Sequence, residues 1–186
     1  MQNQTFLASF WQYRTDSTSI NAVALTILLL LYAGTVATKA ADSETIPRVV
    51  FLGFQLINTS LEPTTRTEDQ RVRMLDDLFR QKLEASGRFK MMPVSLDLQK
   101  TIDAGAEISN CNGCERAYAQ KAGADLAAWG TVQKVSNLIL NINVYIEDVH
   151  AEKLTFVKSV DVRGNTDESW RHGLDYLLRH YLFGEP

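Results

Sequence analysis

The stretch Leu138-Ile139-Leu140-Asn141-Ile142-Asn143-Val144-Tyr145-Ile146-Glu147-Asp148-Val149 decides the fold. In an extended chain Leu138, Leu140, Ile142, Val144 and Ile146 fall on one side, and Ile139, Asn141, Asn143, Tyr145 and Glu147 on the other. Strict alternation over this length predicts an antiparallel strand with one buried face and one more polar face. Upstream, Ser136-Asn137 predicts a tight turn out of a strand over 126–135. Downstream, a loop at His150 to Lys153 leads to a strand over 154–162. The three strands make an antiparallel meander.

Working outward, Val49-Val50-Phe51-Leu52-Gly53-Phe54 is a continuous apolar run, which predicts a strand covered on both faces. Thr67 with Gln70 three residues on predicts the start of a helix carrying Val72, Leu75, Leu78, Phe79 and Leu83 as its apolar stripe. Ser86-Gly87 ends it. A short strand follows at Phe89 to Pro93, then a helix over 96–106 and another over 115–122, stopped by Gly123. Gly164-Asn165 is a loop, and Thr166 caps a last helix with Trp170, Leu174, Leu177, Leu178 and Tyr181 on its apolar face. Strands alternating with helices and then a meander predict an α/β (α+β) fold, a mixed five-stranded sheet with helices mainly on one face. Residues 48–186 form this domain, behind a polar linker at 41–47.

Residues 1–40 read differently. Ile20 to Val36 is almost wholly apolar, with Arg14 before it and the small residues Thr35, Ala37, Thr38, Ala40 and Ala41 after it. This is the pattern of a secretory signal peptide cut after Ala37 or Ala40, with an uncleaved membrane anchor as the alternative. The expected compartment is the periplasm.

The 186-residue chain has a net charge of −3 and no basic run, which argues against nucleic acid or anionic lipid as the main partner. Its only two cysteines are Cys111 and Cys114. In an oxidising compartment such a pair is a disulfide or a redox centre. A helix beginning at Glu115 would place the pair at its amino terminus, where amide dipoles favour a thiolate. No proline stands in the role that thioredoxin-type enzymes require, so a structural disulfide is the favoured reading. Glu115 follows Cys114 where c-type haem attachment needs a histidine. The three histidines, His150, His172 and His180, lack metal-ligand spacing. Asp161, Asp167 and Glu168 do not match a calcium loop. No nucleophile elbow, phosphate loop or dinucleotide glycine pattern occurs. No cofactor and no metal is expected. The polar side of the meander, Trp129, Asn141, Asn143 and Tyr145, is the candidate partner-binding surface, because Trp and Tyr contribute large contact area.

Val49 to Phe54, Ala85-Ser86-Gly87-Arg88-Phe89 and Ala122-Gly123-Ala124-Asp125-Leu126 running into Trp129-Gly130-Thr131-Val132 together resemble the amino-terminal domain of TolB, a plan shared with the curli secretion lipoprotein. Gly53 departs from it, standing where an acidic residue usually falls. Gly164-Asn165-Thr166-Asp167-Glu168-Ser169-Trp170-Arg171 and the Cys111/Cys114 pair are similar to an uncharacterised family of exported proteobacterial proteins, a domain of unknown function. Some members accompany quinoprotein alcohol dehydrogenase genes. The resemblance implies a non-catalytic adaptor domain that binds a periplasmic or envelope protein. A thiol–disulfide oxidoreductase using Cys111 and Cys114, and a small-ligand or metal carrier, are the alternatives.

Overall fold

In the computed structural model, which describes residues 45–185, the alternating stretch is strand β4, Ile139–Asp148, in the middle of the meander. Its partners are β3, Leu126–Lys134, and β5, Lys153–Arg163, both antiparallel to it. β1, Arg48–Asn58, runs parallel to β3 and to the two-residue β2, Lys90–Met91. The sheet order is β2-β1-β3-β4-β5, mixed and five-stranded as the pattern predicts. The segment 1–40, read as signal peptide or anchor, lies outside the described residues, as do residues 41–44 of the linker. No helix among the described residues is long and apolar enough to cross a membrane.

The two long helices share one face of the sheet. α1 is Arg66–Ser86, and Gly87 ends it in the left-handed conformation, with φ +63°. Its start lies earlier than Thr67: Thr65 is the cap, and its hydroxyl accepts from the Glu68 amide while the Glu68 carboxylate accepts from the Thr65 amide. Both Thr65 and Thr67 have a suitable partner three residues on, and the charged one wins. α2, Leu96–Asp103, and α3, Cys114–Ala122, are short and flank a single 3₁₀ turn at Ile108–Asn110. α4, Asp167–Leu177, is capped by Thr166 as the sequence predicts. It widens into a π-helical turn over Leu178–Phe183. That change of winding carries Tyr181 off the apolar stripe expected for it and leaves it 45% exposed.

Leu140, Ile142, Val144 and Ile146 are buried against α1 and α4 with Val49, Phe51, Phe54, Phe79 and Trp170. A second, smaller cluster lies on the opposite face, where α2, the 3₁₀ turn and α3 cover Val50, Leu52, Ala127 and Trp129. β1 serves both clusters, which explains its uninterrupted apolar run. A bulge between Phe51 and Phe54 turns both rings to the α1 side. Gly53 supplies the bulge's φ of +100°. Opposite it, Gly130 leaves room for the Phe54 ring, which a Cβ there would meet at 2.0 Å.

A buried junction joins the helix starts to the sheet. Lys134 closes β3 and pairs with Glu68 at 2.7 Å, and both side chains are 1% exposed. Asn165 donates from Nδ2 to Glu68 Oε1 at 2.7 Å and to Asn137 Oδ1 at 3.1 Å. Asn165 Oδ1 in turn accepts from Trp170 Nε1 and from Arg71 Nη1, each at 3.0 Å. Burial pushes the Glu68 carboxyl up, but its hydrogen bonds from Lys134, Thr65 and Asn165 outweigh this and hold it below the usual carboxylate range. The opposite ends of β1 and β3 are tied by a bidentate pair, Arg48 Nε and Nη2 donating to Asp125 at 3.0 and 2.6 Å.

The bulge also explains a carboxyl buried in α1. Asp76 Oδ1 accepts from the Phe54 amide at 2.7 Å, an amide the bulge frees from the ladder. Burial pushes Asp76 up to about 6, against the lowering by that amide and by Arg80. A carboxyl whose folded-state value is raised contributes fully below its ordinary value and loses that contribution as pH rises through the raised one. The window for Asp76 therefore runs from about pH 4 to about pH 6. Asp76→Asn keeps an acceptor for Phe54 without the charge. It is expected to stabilise the domain by about 1–2 kcal/mol at neutral pH and to have little effect near pH 4. Urea denaturation at both pH values measures this, and destabilisation at neutral pH would show that the ionised carboxylate is required.

Candidate docking face

The face of the sheet away from α1 and α4 carries the candidate residues. Strand register sets Trp129 directly across from Tyr145, Thr131 from Asn143, and Asn141 from Asp161. These residues share a face, as the alternation predicts, but the face is not uniformly open. Trp129 is 8% exposed. The sequence places it on an open surface; the structure buries it in the cluster beneath α2, the 3₁₀ turn and α3. That cover is non-local, so strand periodicity carries no trace of it. Asn141, Asn143 and Tyr145 remain half-buried.

Tyr145 sits at the boundary between covered and open halves. Its ring stacks on Trp129 at 5.2 Å with the planes 13° apart. The two rings form one side of a cleft of about 280 Å³, completed by Ile108, Ser109, Asn112, Glu115 and Leu154. Beyond Tyr145 the surface is polar and ordered by its own hydrogen bonds. Asn143 Nδ2 donates to Thr131 Oγ1 at 3.1 Å, Asn141 Nδ2 to Asp161 Oδ1 at 2.9 Å, and Ser159 Oγ to Asn141 Oδ1 at 2.7 Å. Val157 adds an apolar element, 50% exposed. The side chains of the open half are thus held in place without a partner, which lowers the entropic cost of binding one.

The cysteine loop forms the rim of the cleft. Cys111 and Cys114 are joined, with their Cα atoms 5.5 Å apart. Cys114 is the first residue of α3, and Gly113 turns the chain into it with φ +106°. Glu115 Oε2 accepts from the Gly113 amide and lies 3.2 Å from Cys111 Sγ. A carboxylate there opposes thiolate formation and offsets the pull of the helix amino terminus. Cys111, Cys114 and Glu115 have donor atoms within 4.8 Å of one another, but both sulfurs are committed to the disulfide. Below the loop, Arg116 donates to Glu147 at 3.1 Å, while burial pushes the Glu147 carboxyl above its usual range.

Other sequence candidates do not converge. His150 lies 3.7 Å from Asp125, His172 lies 3.6 Å from Glu168, and His180 packs on Tyr176 with ring centres 4.3 Å apart. Asp167 is held by Arg71 at 2.7 Å and Asp161 by Asn141. Ile108, Ser109 and Leu154, which shape the cleft, were not singled out by the sequence. Only folding of the cysteine loop over β3 gives them a role.

The fold and this face define the class: a mixed-sheet α+β domain with one face packed under helices and the other half open. Residues 47–182 match the family DUF3280, described as "Protein of unknown function (DUF2380)", and the chain belongs to that family. No curated protein matches. The chain is similar to the LpoB C-terminal domain from Salmonella enterica, at 13% identity and a TM-score of 0.45, covering 66% of this chain and 87% of that one. It is similar to TolB from Acinetobacter baumannii at 16% identity and a TM-score of 0.45, covering 77% of this chain and 30% of TolB. Lipoprotein GNA1162 from Neisseria meningitidis gives 13% identity and a TM-score of 0.48, over 74% of this chain and 94% of that one. The resemblance to a family of unknown function read from the sequence agrees with the family match.

If the disulfide only fastens the cleft rim, Cys111→Ser with Cys114→Ser should cost at most about 2 kcal/mol, because the loop it closes is short. Emission from the cleft's Trp129 should shift to the red as its cover loosens. Melting and tryptophan fluorescence measure both, and a double variant that fails to fold would show that the bond carries the α3 side of the domain.

Proposed function

We propose that this domain is a non-catalytic docking module of the periplasm or cell envelope, and that it holds a partner protein on the open half of its sheet. The observation that carries the reading is the half-covered second face. α2, the 3₁₀ turn and α3 cover β1 and β3, Tyr145 sits at the border of that cover, and Asn141, Asn143 and Val157 on β4 and β5 lie beyond it. Tyr145 is the anchor, backed by Trp129 and flanked by side chains already fixed by hydrogen bonds. Buried aromatics ringed by polar groups dominate protein interfaces.

An exported setting is supported by the small-residue exit of the apolar segment and by the disulfide. The resemblance to exported proteobacterial proteins points to an envelope or quinoprotein-associated partner. The groups with the largest acid–base shifts, Glu68, Asp76 and Asp125, are each occupied by an ion pair or a backbone amide that joins two elements. That arrangement favours structural over catalytic roles. The carboxylate beside Cys111 likewise favours a structural bond over an oxidoreductase.

A photo-crosslinking amino acid placed at Asn143 or Val157 in the native host should capture one envelope or periplasmic protein, and one placed at Arg73 on the outer side of α1 should not. Tyr145→Ala should abolish the capture, a loss of about 2 kcal/mol or more in affinity, while the domain, though less stable without the ring stacked on Trp129, stays folded. Equal capture from Arg73, or unchanged capture by Tyr145→Ala, would place the interface elsewhere.

A further inference from the structure

β5 offers a second surface. Among the described residues it pairs only with β4, so one edge of an 11-residue strand is unpaired along its length. The other edge of the sheet, β2, is two residues long. Beside the β5 edge lies a groove of about 530 Å³ lined by Val160, Val162, His172, Gly173, Tyr176 and Tyr181. Gly173 brings α4 close to the sheet: a Cβ there would lie 2.6 Å from Val162 Cγ2 and 3.3 Å from Ile142 Cδ1. Tyr176 and Tyr181, 47% and 45% exposed, meet edge to face with ring centres 6.0 Å apart. A free strand edge beside a helix, with an apolar slot between them, is an arrangement that accepts an added strand: backbone bonds give affinity and alternate side chains give specificity.

Charge says what the added strand is. β5 carries Lys153, Lys158 and Arg163, and none of the three makes an ion pair among the described residues. Its one acid, Asp161, is taken up by Asn141. Lys158 lies over the Tyr181 ring at 5.2 Å, at the groove. Two copies of β5 paired antiparallel about Lys158 would set Lys158 against itself and Lys153 against Arg163. Like charges directly opposite disfavour such pairing, and edge lysines are a common guard against it. Lys158 lies on the groove side of the strand with Val160 and Val162, whereas Arg163 lies on the opposite side. We propose that β5 receives an extended acidic segment of a partner protein as a sixth strand, whose groove-side residues are apolar against Val160 and Val162 and acidic beside Lys158.

The test uses the full chain and three terminally blocked ten-residue peptides, with serine at every other position so that the remaining side chains share one face: one carrying two valines and then three glutamates on that face, one with lysines in place of the glutamates, and the first with alternate amides methylated along one edge. The glutamate peptide should bind saturably, at least tenfold tighter than the lysine peptide, and slow hydrogen exchange at β5 amides. Methylation should abolish binding, Lys153→Glu with Lys158→Glu should reverse the charge preference, and Tyr145→Ala should leave binding unchanged, which separates this edge from the open face. Absence of binding by the glutamate peptide, or equal binding of its methylated form, would overturn the proposal. So would concentration-dependent self-association that protects β5 without peptide, since the occupant would then be a second copy.

Discussion

The pairing of Glu68 with Lys134 is the constraint on which the rest of the structure depends. Both groups are out of water, and without Glu68 the buried Lys134 keeps only the exposed Glu62, at 3.5 Å. Lys134 ends the central strand β3, and Glu68 sits in the first turn of α1. Asn165 extends the contact to α4 and to the turn before β4. One cluster of charge and amide therefore sets where both long helices begin and which face of the sheet they cover. The cost of burying two ions is returned as direction: the helix starts are fixed at one corner of the sheet, and the apolar stripes of α1 and α4 fall on the same side.

That placement leaves the other face to the shorter elements. α2, the 3₁₀ turn and α3 cover only the parallel half, from β1 to β3. The antiparallel half of the meander keeps a surface of amides and hydroxyls around Tyr145. The disulfide and Glu115 shape the rim between the halves. Placing the exposed surface on β4 and β5 thus follows from where the helices are anchored, and the loop is a local adjustment.

Much of this was legible in the sequence because it is periodic. Alternation in Leu138–Val149 assigns Leu140, Ile142 and Val144 to the core and Asn141 and Asn143 to the opposite face, and the register agrees. The continuous apolar run of β1 forecasts cover on both faces. Features that depend on partners distant in sequence were hidden. Lys134 reads as an ordinary strand-end lysine until Glu68, 66 residues away, is brought against it. Thr67 with Gln70 looks as good a helix start as Thr65 with Glu68, and only the buried lysine separates them. Trp129 belongs to the polar-face register yet is covered by a loop whose path no periodicity records. Tyr181 follows the spacing of an α-helix, which the π-helical turn breaks.

Equilibrium denaturation of Glu68→Gln, Lys134→Met and the double variant tests the central constraint most directly. Each single change should cost about 3–5 kcal/mol, because it strands a buried charge or leaves its partner unmet, and the double should cost far less than the two together. Single variants that unfold within about 0.5 kcal/mol of the parent, with additive effects in the double, would contradict the account.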